Sequence, residues 1–219
     1  MTGSFWDWGW VFDHLGLIGD RLVQHITLTL IAVGAGLLIA FPLAVLAYRR
    51  RGLYPPIAWV TGILYTIPSL ALFSLLLPFT GLSILTAEIG LTSYTLLILI
   101  RNIVTGLAGV PEDVKEAAHG MGYTGGQLLW RVELPLALPA VVAGLRIASV
   151  TTIGLVTVTA LIGKGGLGAL MLGGFRRLYP EIMIVVGLVL SVALAVTFDA
   201  LLLAGQRALT PWSARRAAV

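Results

Sequence analysis

Cysteine is absent from the 219 residues, which excludes a disulfide framework and any thiolate metal site. Charge is scarce as well. Asp, Glu, Lys and Arg together make up 11% of the chain, against about 25% in an ordinary soluble domain. No basic run precedes Arg21, and Asp7 and Asp13 interrupt the opening stretch, so no signal peptide is expected. No repeat of fixed period is evident, which removes the pattern of an inverted-repeat carrier. His residues do not join Asp199, Glu88 or Glu181 at catalytic spacing, so an intramembrane enzyme finds little support. A channel or secondary carrier stays as a further alternative.

What is abundant is apolar surface, at 58% of residues. A soluble core of this size could not hide it, so the bilayer is expected to act as solvent for much of the chain. A span needs roughly 20 apolar residues, and five segments qualify: 22–48, 56–79, 88–110, 136–162 and 181–206. The stretch 5–18 is short and holds Asp7, Asp13 and His14, which argues against a sixth. The expectation is an all-α membrane protein of about five transmembrane helices. Residues 1–21 are expected to form an extracytoplasmic or interfacial segment and 207–219 a cytoplasmic tail. Trp6, Trp8 and Trp10 read as interfacial anchors, with an aromatic cage for a cation as the other reading.

Orientation follows from the basic residues. With the N-terminus outside, the inner side holds Arg49, Arg50, Arg51, Lys115, Arg131, Arg207, Arg215 and Arg216, and the outer side only Arg21, Lys164, Arg176 and Arg177. The N-terminus is therefore expected outside and the C-terminus inside. Small residues repeat every fourth position at Ala32, Gly36 and Ala40, and at Ala140, Gly144, Ala148 and Thr152. The first stripe fits packing within the subunit. The second fits that equally with contact between subunits or lining of a pathway.

Residues 111–135 form the longest polar stretch and fall on the inner side. Pro111 suits a first helical position, and Glu112 and Asp113 suit the positive end of a helix dipole. Gly120 and Gly122 can end that helix, and Thr124 can cap the next. Leu128 and Leu129, beside Trp130, are unexpected on a solvated loop and suggest a surface covered by another protein.

The string EAAHGMG, nine further residues, then VELP resembles the EAA loop of permeases from binding-protein-dependent ABC importers. Glu116, Ala117, Ala118, Gly122, Leu134 and Pro135 match that pattern, and Val132 stands where Ile is usual. The resemblance implies a type I, MetI-like permease fold in the bacterial cytoplasmic membrane, with the loop acting as a coupling helix on a separate ATPase dimer. Ala117 and Ala118 would then allow close approach, Glu116 a charged contact or cap, and Gly122 the turn. It further implies a second permease subunit, identical or related, and an extracytoplasmic substrate-binding protein. No cofactor is expected on this chain, with ATP and Mg on the partner ATPase, and no metal or nucleic acid. The chain has no GxxxxGK[ST] phosphate loop. GKGGLG at 163–168 lacks the following Ser or Thr; within an outer loop at 163–180, it reads as a flexible turn or short re-entrant segment.

TIPSLALF at 66–73 and ALIGKGGLG at 160–168 resemble permeases of the osmoprotectant type, which import glycine betaine, choline or carnitine. Methionine-type permeases are the near alternative. Intramembrane polar residues are functional candidates. Arg101, Arg146 and Asp199 lie roughly 12–15 Å from the inner ends of their spans at 1.5 Å per residue. Asp199 is expected to pair with Arg101 or Arg146, as a lock or gate. Pro68 breaks the second span, so Tyr65, Thr66, Pro68 and Ser69 are the first candidates for the translocation pathway, with Thr151 and Thr152 the second. His25, alone near an outer end, reads as a satisfied packing residue.

Overall fold

The computed structural model describes residues 8–175 and 180–210; Trp6, Arg176, Arg177, Arg215 and Arg216 lie outside them. Within these limits the chain is helical, with turns and no strand. A short α1 (Trp8–Asp13) is followed by α2 (Leu15–Arg49), α3 (Tyr54–Thr66), α4 (Ser69–Thr80) and α5 (Ile84–Ala108). Then come α6 (Glu112–Gly120), α7 (Gly125–Leu128), α8 (Leu134–Val158), α9 (Gly168–Gly174) and α10 (Pro180–Leu209). Four of these stretches are long and apolar enough to cross a membrane: α2, α5, the continuous run 125–162 that contains α7 and α8, and α10.

The first span begins at Leu15, a full two turns before the apolar run suggested, and the six residues of α1 are too short to cross a bilayer. The expected second span is not straight. α3 and α4 meet at a bend of 95°, with Ile67 and Pro68 both extended. Pro68 has no N–H to give to the ladder, and the residue before a proline avoids helical ψ. Tyr94 on α5 repairs part of the damage, because its hydroxyl donates to the freed Ile67 carbonyl.

The core is built around α5. More than half of its apolar window is buried (56%), against 28% in the windows of α2 and α10. Leu99, Ile100 and Ile103 of α5 meet Ala40 and Ala44 of α2 and Ala137 of α8 in one apolar cluster. Toward the other end, Leu91 and Ala87 meet Phe73, Leu28 and Val156. Because lipid tails are as apolar as leucine, close backbone approach supplies the packing energy. A Cβ at Gly36 would collide with Thr95, and one at Gly144 would lie 2.6 Å from the Asn102 Cβ. Both small-residue stripes therefore pack inside the subunit: Ala32, Gly36 and Ala40, and likewise Gly144, Ala148 and Thr152, are buried. The exterior is apolar instead, with Leu38 and Phe79 78% and 82% exposed, as expected where the solvent is lipid or a second subunit.

Candidate functional site: the 111–135 loop and two intramembrane arginines

α6 starts at Glu112 with Pro111 as its extended N-cap, one residue later than the proline suggested, and carries Glu112 and Asp113 in its first turn. It ends in a Schellman motif. The Tyr123 N–H donates to the Ala118 carbonyl at 3.1 Å and the Gly122 N–H to the His119 carbonyl at 2.9 Å. Gly122 takes φ of 82° at the position after the cap, where a left-handed residue is required. Thr124 then caps α7 in a reciprocal box with Gln127. Glu116, Ala117, His119 and Met121 form the outward surface, Met121 at 69% exposure. Ala118 turns inward and is buried. Beside this surface Lys115 bonds Glu112 at 3.0 Å. Burial alone would lower the Lys115 ammonium, but contacts with Glu112 and Tyr48 outweigh it and hold its pKa above the usual lysine value.

The second half of the motif packs largely against its own chain. Leu128 and Leu129, expected under a partner, are only 3% and 8% exposed within this chain alone. Trp130 is the outward member, 61% exposed with its ring 5.7 Å from Phe41. Val132, Leu134 and Pro135 are partly buried. α7 is not a separate helix from the following span: a π-helical turn, Leu129–Glu133, joins it to α8. Pro135 explains the place of that turn. Its ring removes one N–H and crowds the carbonyl four residues back, Arg131, so the ladder widens there.

Glu133 was not foreseen. It is 2% exposed, accepts from the Tyr48 hydroxyl at 2.7 Å and from Arg49 at 3.4 Å. Arg49 also donates to the Gly125 carbonyl at 2.6 Å. The foot of α2 is thus tied to both ends of the segment that links the loop to α8. A buried carboxylate needs such partners, and the glutamate inside VELP was the available signal.

The three charged residues expected at similar depth, Arg101, Arg146 and Asp199, separate into a pair and a single residue. Arg146 on α8 holds Asp199 on α10 through two parallel bonds, Nε to Oδ1 at 2.8 Å and Nη2 to Oδ2 at 2.7 Å. This side-on geometry is the strong form of the contact. Thr151 shares a surface cavity of about 360 Å³ with this pair, whereas Thr152 is buried inside the subunit and its hydroxyl has no partner among the described residues. Arg101 on α5 stands apart. It is exposed, without an ion pair among the described residues, and opens on a cavity of about 630 Å³ that Tyr65 and Thr66 also line. Pro68 and Ser69 lie beyond that lining, at the bend.

His25 is fully buried and fully used. Its Nε2 reaches the Ile153 carbonyl at 3.0 Å, and its Nδ1 accepts from the Leu167 N–H at 3.3 Å. The neutral tautomer with the proton on Nε2 satisfies both. It clamps α2 to α8 and to the glycine-rich segment. That segment is no free turn: a Cβ at Gly166 (φ 48°) would lie 2.7 Å from the His25 Cβ, and Cβ atoms at Gly165 and Gly168 would strike the backbone of Ala160 and Thr157.

Residues 32–212 match the family described as binding-protein-dependent transport system inner membrane component. The chain belongs to this family. Its relatives include an osmoprotectant import permease protein of Salmonella typhimurium, 37% identical over 92% of this chain and 96% of that one. A choline transport system permease protein of Bacillus subtilis is 37% identical over 90% of each. A glycine betaine/carnitine/choline transport system permease protein of the same organism is 35% identical over 86% of each. Among solved structures, an inward-facing MetNI methionine ABC transporter chain superposes with a TM-score of 0.82 at 25% identity, covering 90% of this chain and 98% of that one. An amino acid ABC transporter chain shares the fold at a TM-score of 0.68, over 94% and 99%. The MetI-like fold expected from the loop is the fold observed.

Proposed function

We propose that the chain is the permease subunit of an ABC importer for osmoprotectants, moving glycine betaine, choline or carnitine inward. The observation that carries this reading is the loop itself: a capped, exposed helix bearing Glu116, Ala117 and Met121, braced by buried Glu133, in a chain of this family. Its exposed face docks a cytoplasmic ATPase dimer, which supplies ATP, Mg and the hydrolytic chemistry. Closure of that dimer pushes α6, and the continuous helix through α7 and α8 carries the push into the membrane. The N-terminus lies outside, the C-terminus inside, and an extracytoplasmic binding protein delivers the solute to a pathway shared with a second permease subunit. Tyr65, Thr66 and Arg101 line this chain's share of it. The Arg146–Asp199 pair locks α8 to α10 during the cycle. Asp199→Asn should lower coupled uptake while leaving the subunit folded; unchanged uptake would remove the lock.

The substrate class follows the relatives, whose identity to this chain exceeds that of the methionine transporter (37% against 25%). The test is uptake into proteoliposomes holding this chain, its ATPase and its binding protein. ATP-dependent accumulation of betaine or choline, and none of methionine, is the expected result. Methionine uptake alone would overturn the substrate class.

A further inference from the structure

A guanidinium that faces hydrocarbon is costly, and intramembrane arginines are paired or face water. Arg146 follows the first course. Arg101 has no ion-pair partner among the described residues and is exposed about two turns before α5 ends at Ala108. Its face must therefore meet water or another polar group.

The cavity it opens on lies between α3 and α5 and has a particular chemistry. Trp59, 70% exposed, and Tyr65 line it, together with Thr66 and Gly62. Tyr65 is set by an edge-to-face contact with buried Tyr94, ring centroids 6.0 Å apart. Gly62 has nothing within 4 Å of where a side chain would begin, so the wall between the two aromatics stays open. Among the described residues no carboxylate lines the cavity. Aromatic faces attract methylated ammonium groups, while a guanidinium attracts a carboxylate and repels a bare cation.

We propose that this cavity is a solute site for quaternary-ammonium carboxylates, with Trp59 and Tyr65 taking the methylated ammonium and Arg101 the carboxylate. It discriminates glycine betaine and carnitine from choline, which offers the cation alone. The proposal rests on the osmoprotectant reading above and adds a selectivity step inside the permease.

The experiment is equilibrium binding of radiolabelled glycine betaine to the detergent-solubilised permease–ATPase complex without its binding protein, with choline as competitor. Uptake by the full reconstituted system is measured separately. Wild type should bind betaine and require at least about 10-fold more choline than betaine for displacement, the effect of one charge-assisted contact. Arg101→Gln should lose that preference, Arg101→Lys should recover part of it, and Trp59→Ala should weaken both solutes. Absence of betaine binding, equal competition by choline in wild type, or an equal loss of both solutes in Arg101→Gln would overturn the site. Uptake of methionine in place of osmoprotectants would instead overturn the reading beneath it.

Discussion

Two glycine-bearing segments sit at opposite ends of the same helical run, 125–162, and behave in opposite ways. Before it, Gly120 and Gly122 have open space around them. After it, Gly165, Gly166 and Gly168 are pressed against the backbones of Ala160, His25 and Thr157. The first pair shapes an exposed surface, the one proposed above to dock the ATPase. The second set lets a loop close on its own subunit, with His25 as the clamp. Similar composition thus shapes an exposed surface in one place and internal packing in the other, and only the neighbours decide which.

The sharpest break in this comparison is Gly168→Ala. The new methyl would strike the Thr157 carbonyl, which is backbone and cannot swing aside. The loss should be roughly 1–3 kcal/mol, as for other overpacked sites, read as a fall in the melting temperature of the purified subunit. The Glu133 contacts come next. Glu133→Leu removes the carboxylate that the Tyr48 hydroxyl and Arg49 share, at a cost of about 1–3 kcal/mol for hydrogen bonds to a charged group. Part of that is discounted because Arg49 is 37% exposed. Coupled uptake should fall further than stability does, since the same contacts brace the loop. Gly122→Ala should be the mildest, about 1 kcal/mol for a left-handed alanine in open space. If Gly122→Ala proves as damaging as Gly168→Ala, the contrast between an open and a closed segment is wrong.

The fold was legible where chemistry is local. Apolar runs located the spans, Pro68 located the break, and the 116–135 spacing identified the loop. The 95° bend was not legible, because a proline marks a break without setting its angle, and Tyr94 stabilises it from 27 residues away. Leu128 and Leu129 looked like a docking patch because the loop seemed separate from the next span. The π turn joins them, and both side chains go inward. The partner of Asp199 was narrowed to two arginines by depth alone. Choosing between them required the positions of α5 and α8 about α10, which no local pattern carries.

The absence of cysteine offers the most direct test of the account. Met121→Cys and Leu161→Cys each place a single thiol on an exposed position, one on the α6 surface and one beside the glycine-rich segment. Each variant, assembled with its ATPase and binding protein in proteoliposomes, is labelled with a maleimide photo-crosslinker and illuminated. The account predicts an adduct with the ATPase from Met121→Cys, changing in yield when ATP is added, and none from Leu161→Cys. An ATPase adduct from Leu161→Cys, or none from Met121→Cys, would contradict it.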